Sequence, residues 1–230
     1  MLPTILFLTD VFGHTFVNAR LLADTYADGG FHVFVPDLFN GDALDPRTLD
    51  FMEAEGTLAA FAVPFKLLCA LPTLFSFIRR HGEAATMPTV LAVAAALRER
   101  ADAAGTPLFA VSFCFGGPYA ARLARPAAPG AAPLAEAVVL AHPSNLTPVA
   151  AAAIDVPALY CLVPRDMFTP KSAAAAKDAQ RARGAVEANV EVYLGVGHGF
   201  AVRGGPSTVS ARKRCAEDVL RFLKGVCEKK

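Results

Sequence analysis

Six short apolar runs punctuate the chain, at Ile5–Thr9, His32–Pro36, Leu108–Ser112, Ala137–Ala141, Ala158–Leu162 and Val190–Leu194, with Ala-rich stretches of helical pattern between them. The runs are rich in β-branched and aromatic residues, and their nearly continuous apolarity fits strands buried on both faces of a parallel sheet. Strand and helix in alternation give the α/β class, here a mostly parallel sheet with helices on both faces. Helical segments are expected at Asn18–Ala27, Pro88–Ala104 and Lys171–Arg183, stopped by Gly29 and Gly30, by Gly105 and by Gly184, with Arg212–Val226 closing the chain.

The 230 residues and 54% apolar content supply one sizeable core, so a single domain over 1–230 is expected. The segment from Gly41 to Thr86 breaks the rhythm: it is too long for a simple connection and carries its own helical pattern. It reads as a cap inserted at about 41–86 over the site. Within it Thr57–Ile78 has the length of a membrane span, but Pro64, Lys66 and Pro72 interrupt it, which favours a buried helix or cap. The start, Met1 to Asp10, has no basic leader and reaches an acidic residue quickly, so it reads as a buried strand and not as a signal peptide.

Charge and motif content narrow the function. With 22 basic and 21 acidic residues spread along the sequence, nothing in the electrostatics calls for nucleic acid, and a small-molecule partner is expected. The five cysteines are odd in number and show no C-x-x-C spacing, which suits a reducing, cytoplasmic location. No G-x-G-x-x-G follows the first strand, no P-loop motif occurs, and no His/Cys cluster has metal spacing, so neither cofactor nor metal is expected.

In doubly wound sheets ligands bind at the carboxyl ends of the strands, and three chemically capable residues fall there. Cys114 follows the run at 108–112, Asp166 that at 158–162 and His198 that at 190–194. Ser112, Gly116 and Gly117 leave room for a sharp strand-to-helix turn at Cys114, and Pro118 suits a first helical turn. A helix N-terminus aimed at Cys114 would favour its thiolate through unpaired N–H groups and the helix dipole. His198 would exchange the proton, and Asp166 would fix the imidazole tautomer and stabilise its cation. The backbone N–H groups of Val11 and Phe115 are the expected oxyanion donors.

At these residues the sequence resembles the dienelactone hydrolase (carboxymethylenebutenolidase) family of the α/β-hydrolase superfamily, over nearly the whole chain. The landmarks are Thr9-Asp10-Val11-Phe12-Gly13, Val35-Pro36-Asp37-Leu38, Phe113-Cys114-Phe115-Gly116-Gly117, Arg165-Asp166 and Gly197-His198-Gly199-Phe200. An Arg-His region at 79–81 and the segment Ala141-His142-Pro143-Ser144 are similar to the fungal-type branch. The resemblance implies hydrolysis of a small lactone or ester by a Cys114, Asp166 and His198 triad through an acyl-thioester, in a monomer or homodimer. It also implies an auxiliary role for Asp10, matching the family acid that activates the thiol.

Four departures stand out: Ser112 replaces an elbow glycine, Asp10 replaces glutamate, Val202 replaces a substrate-binding Arg with Arg203 next to it, and an N-terminal hairpin is expected to be missing. Arg203, Phe12 and Phe200 are candidate substrate contacts, Phe113 and Phe168 pocket or core, and Arg79, Arg80 and His81 an alternative anion site or surface charges. His142 fits a packed histidine, Asp37 a turn residue, and Cys69, Cys161, Cys215 and Cys227 structural positions. The rival to an enzyme is a catalytically weak hydrolase relative that binds a ligand or senses oxidants through Cys114. A glutamine-amidotransferase-like Cys enzyme fits the Asp-before-His order less well.

Overall fold

In the computed structural model, which describes residues 1–52, 57–128, 130–184 and 188–229 and no side chains within 50–67, the apolar runs form one sheet. Its strands are β1 (Thr4–Leu8), β2 (His32–Phe34), β3 (Leu108–Phe113), β4 (Ala137–Ala141), β5 (Ala158–Leu162) and β6 (Ala188–Val192). They lie in the order β2-β1-β3-β4-β5-β6, every neighbouring pair parallel. This is the α/β-hydrolase arrangement expected from the sequence. Every residue of β1, β3, β4 and β5 is buried, which is why those runs are apolar without alternation.

The edge strand β2 is only partly buried, and so is β6. Asn189 and Glu191 alternate with apolar residues on this half-covered edge strand, so the apolar run alone misplaces it by two residues. Leu194, expected inside the strand, is 75% exposed in the loop that follows.

The two-residue period divides the core. Ile5, Phe7, Phe109, Val111, Leu159 and Cys161 face α1 (Val17–Asp28) and α7 (Val209–Glu228), which contribute Leu22, Tyr26, Val219 and Leu223. Leu6, Leu8, Ala110, Leu140 and Tyr160 face the opposite layer, built from α3 (Glu83–Ala104), α4 (Gly117–Leu123), α5 (Pro148–Ala152) and α6 (Pro170–Ala182). Capping sets two starts: Thr147 and Thr169 hydroxyls accept the N–H groups of Ala150 and Ser172, each at 3.1 Å. α3 begins five residues before Pro88, which lies inside the helix and not at its first turn. Gly105 closes it at φ +63°, its N–H reaching the Ala101 and Asp102 carbonyls.

Between β2 and α3 the chain forms a 3-10 turn at Pro46–Met52 and α2 (Thr57–Arg80), a helix that continues through Pro72. Among the described residues no helix is long and apolar enough to cross a membrane. Because β2 lies to one side of β1 and β3 to the other, the chain reverses direction between them. A crevice therefore opens at the carboxyl ends of β1 and β3.

Candidate active site

The loops that leave β1 and β3 meet in this crevice. Cys114 follows the last residue of β3 with φ +47°, a conformation uncommon for a residue with a Cβ, and a 3-10 turn carries the chain straight into α4. The turn is close-packed. A Cβ on Gly116 would sit 2.9 Å from the Leu8 carbonyl carbon, and one on Gly117 2.5 Å from Pro143 Cβ. Ser112, in the place of an elbow glycine, points into the sheet and donates to the Val139 carbonyl at 2.7 Å, so its hydroxyl is satisfied without reaching the crevice.

His198 stands between the other two predicted residues. Its Nε2 lies 3.1 Å from Cys114 Sγ, and its Nδ1 lies 2.8 Å from Asp166 Oδ1. Asp166, on the loop after β5, also accepts the Met167 N–H at 2.7 Å, and its side chain is 2% exposed. Burial alone would lower the His198 pKa, but the Asp166 hydrogen bond and the adjacent Cys114 sulfur outweigh it and raise the value to about 10. The ring is thus held as a cation beside the sulfur at neutral pH.

His142 follows β4 at φ +37°, fully buried, with its ring 5.1 Å from that of His198 and close to Phe113 and Phe200. Burial, then the charges of His198 and Arg203, push its pKa well below the ordinary range, so it is a neutral packing residue.

Asp10 follows β1 and is buried, its Oδ1 accepting the Phe12 N–H at 3.0 Å. Burial raises its pKa to about 6, opposed by the Phe12 N–H and by the charges of Arg203 and His198. The sulfur itself is contacted by His198 and by the Ser144 hydroxyl at 3.7 Å. Arg203 is buried as well, with its guanidinium 5.4 Å from the Phe12 ring centre. Gly199 makes its path: at φ +88° it has no Cβ, and one there would lie 2.5 Å from Arg203 Nε.

Asp10, Phe12, Cys114, Ser144, His198, Gly199 and Arg203 line a cavity of about 240 Å³ together with Val11, Phe115, Asn145 and Met167, and the 41–86 segment contributes Leu49, Leu74 and Ile78. A larger groove of about 890 Å³ lies by β6 and α7, lined by Lys177, Glu191, Asp218 and Arg221 and distant from Cys114. Its lining contains neither a thiol nor a histidine, whereas that of the smaller cavity contains both.

Some candidate contacts lie elsewhere. Phe200 packs on Tyr193 at 4.7 Å within the core, because the turn at Gly199 carries it away from the cavity that Phe12 lines. Phe113 and Phe168 are core residues stacked on Phe7 and Tyr160. Arg80 and His81 both bind Asp42, at 2.8 and 2.7 Å, and form a clasp between the end of α2 and the loop after β2. Asp37 binds the N–H groups of Phe39 and Gly41 in a turn. All five cysteines are free thiols. Met167 is not among the sequence-derived candidates, and Ser144 enters them only within the Ala141–Ser144 segment with no role at the site, although each follows a strand on the carboxyl side of the sheet, where every loop is a candidate.

A sequence model of the dienelactone hydrolase family matches residues 1–227. Hydrolase pyvD of Aspergillus violaceofuscus is 29% identical over 199 residues, covering 86% of this chain and 70% of that protein. Hydrolase tropI of Talaromyces stipitatus is 27% identical over 201 residues, 87% of this chain and 71% of that one. Both are fungal, as the 79–81 and 141–144 segments suggest. In fold, the chain is similar to a soluble variant of monoglyceride lipase from Saccharomyces cerevisiae. The TM-score is 0.64 at 10% identity, over 98% of this chain and 87% of the lipase.

Proposed function

This chain belongs to the dienelactone hydrolase family, hydrolases of esters and lactones, and on that premise we propose that it cleaves a small lactone or ester with Cys114 as the nucleophile. One observation carries the reading: a single imidazole spans Cys114 Sγ and the Asp166 carboxylate at 3.1 and 2.8 Å. The thiolate attacks the carbonyl carbon, and the carbonyl electron pair moves to oxygen, facing the N–H groups of Val11 and Phe115. Collapse breaks the C–O bond, and the leaving alkoxide takes the Nε2 proton of His198. In a lactone it stays attached as the hydroxyl end of the acyl chain. Neutral His198 then takes a proton from water as the water oxygen attacks the thioester. Sulfur leaves as thiolate, and the acid product gives its proton to solvent.

The 41–86 segment acts as a cap, supported by Leu49, Leu74 and Ile78 in the cavity wall. Arg203 and Phe12 contact the substrate, the guanidinium suiting an anionic substituent. Asp10 competes with that anion for Arg203. Its pKa of about 6 means the carboxyl is mostly neutral at pH 5 and ionised at pH 7. The KM of a carboxylate-bearing ester is therefore expected to rise from pH 5 to pH 7 by about fivefold, equivalent to about 1 kcal/mol. Asp10→Asn should hold KM low across that range in steady-state assays.

The nucleophile is tested directly by mixing the protein with p-nitrophenyl acetate, quenching in acid and mapping the acetyl group by mass spectrometry. An adduct on Cys114 that forms and decays with turnover in the wild-type protein, and is absent from Cys114→Ala, is the expected result. Turnover with no adduct, surviving Cys114→Ala, overturns the proposal. A thiol that oxidises readily without any esterase activity would instead favour a redox sensor.

A further inference from the structure

The family acid that activates the thiol is represented here by Asp10, and its geometry leaves that task to another group. Asp10 has the shorter side chain, is bound to the Phe12 N–H at 3.0 Å, and interacts electrostatically with Arg203. Cys114 Sγ instead has Ser144 Oγ beside it at 3.7 Å, where the thiol donates to the hydroxyl oxygen and the thiolate, having no proton to give, accepts from it. Ser144 is buried and lines the cavity. Its backbone N–H also donates to the Cys114 carbonyl at 2.9 Å, so main chain and side chain both register on the nucleophile. The intervening Pro143 packs against the elbow at Gly117, which fixes the distance between the two loops.

We propose that Ser144 is a positioning residue for the nucleophile, its hydroxyl donating to the Cys114 thiolate as the second donor beside His198 Nε2. This rests on the reading of Cys114 as the nucleophile. The two donors approach from different elements, His198 from the loop after β6 and Ser144 from the loop after β4, and together they hold the sulfur in one rotamer facing the cavity. When sulfur becomes a thioester it loses its charge and most of its strength as an acceptor. The Ser144 contact therefore favours the resting thiolate over the acyl-enzyme. It also favours thiolate as the leaving group in deacylation. No bond to Ser144 is made or broken.

The test follows alkylation of Cys114 by iodoacetamide against pH, read at that residue by mass spectrometry so that the other four thiols do not contribute. A hydrogen bond to a charged acceptor is strong enough that Ser144→Ala should slow alkylation at pH 7 about tenfold. The profile should move to higher pH while the high-pH plateau stays unchanged. Ser144→Thr and Ser144→Val, matched in shape, separate the hydroxyl from packing: Thr should restore the wild-type profile and Val should behave as Ala. Unchanged profiles in Ala and Val, or a Thr variant as slow as Val, overturn the role of Ser144. The acetyl adduct of the wild-type protein is a separate readout, so a failure of Cys114 as nucleophile is distinguished from a failure of this assignment.

Discussion

Cys114→Ala is expected to lower kcat/KM for an activated ester by about 10⁴–10⁶-fold, the upper end being what loss of the nucleophile costs in other triad enzymes. The acyl-thioester cannot form without sulfur, so the remaining rate reflects only water attacking a substrate that is bound and polarised. His198→Ala should cost a similar factor for a different reason. The imidazole is held as a cation by Asp166 and Cys114, its pKa raised to about 10. Without it the leaving alkoxide has no proton donor, and water has no base. Because the two residues act as one unit, the double variant should be little worse than either single variant. Asp166 lies behind His198, where Asp166→Asn keeps the shape and removes the charge, so a smaller but still large loss is expected. Steady-state kinetics on all four proteins, each checked for an unchanged circular dichroism spectrum, measures this. Multiplicative losses in the double variant would mean that Cys114 and His198 do not share a step.

The parts of this arrangement that follow from a two-residue or continuous apolar pattern were legible in the sequence. β1, β3, β4 and β5 are buried on both faces and filled almost wholly by apolar residues, Thr4 and Ser112 excepted, so their positions follow almost to the residue. The edge strand β6 carries Asn189 and Glu191 at its partly covered positions and was displaced. Cys114, Asp166 and His198 were legible because each follows a strand on the same side of the sheet and each has glycine or a turn beside it. The contact of Ser144 with Cys114 was not: the Ala141–Ser144 segment was visible as a landmark, but its relation to Cys114 is a contact across 30 positions, created by Pro143 seating against Gly117. Phe200 shows the reverse error. Its place beside His198 suggested the cavity, but the positive φ at Gly199 rotates the following residue into the core. The lining provided by Leu49, Leu74 and Ile78 depends on how the 41–86 segment folds back, which periodicity does not encode.

The elbow gives the second large effect, at a residue that touches no substrate. Gly116 packs against the end of β1, where an added Cβ would lie 2.9 Å from the Leu8 carbonyl carbon and closer still to its oxygen. Backbone cannot swing aside as a side chain can, so Gly116→Ala must push β1 and the elbow apart. Overpacking of this kind costs about 1–3 kcal/mol, which for a chain of this size is a fall in Tm of roughly 2–12 °C. The activity loss should be larger than the stability loss implies. Leu8 leads within three residues to Val11, and Gly116 follows Phe115, so the wedge sits between the two proposed oxyanion donors. Moving one donor out of reach costs about 2.7–4 kcal/mol of transition-state stabilisation, or about 10²–10³ in kcat. Iodoacetamide alkylation of Cys114 should fall much less than kcat, because the sulfur keeps His198 while the oxyanion loses its second N–H. If kcat and alkylation instead fall together, the wedge has displaced the thiol and not the Val11 loop. A Gly116→Ala protein with wild-type kcat at a lowered Tm would remove Val11 from the oxyanion hole.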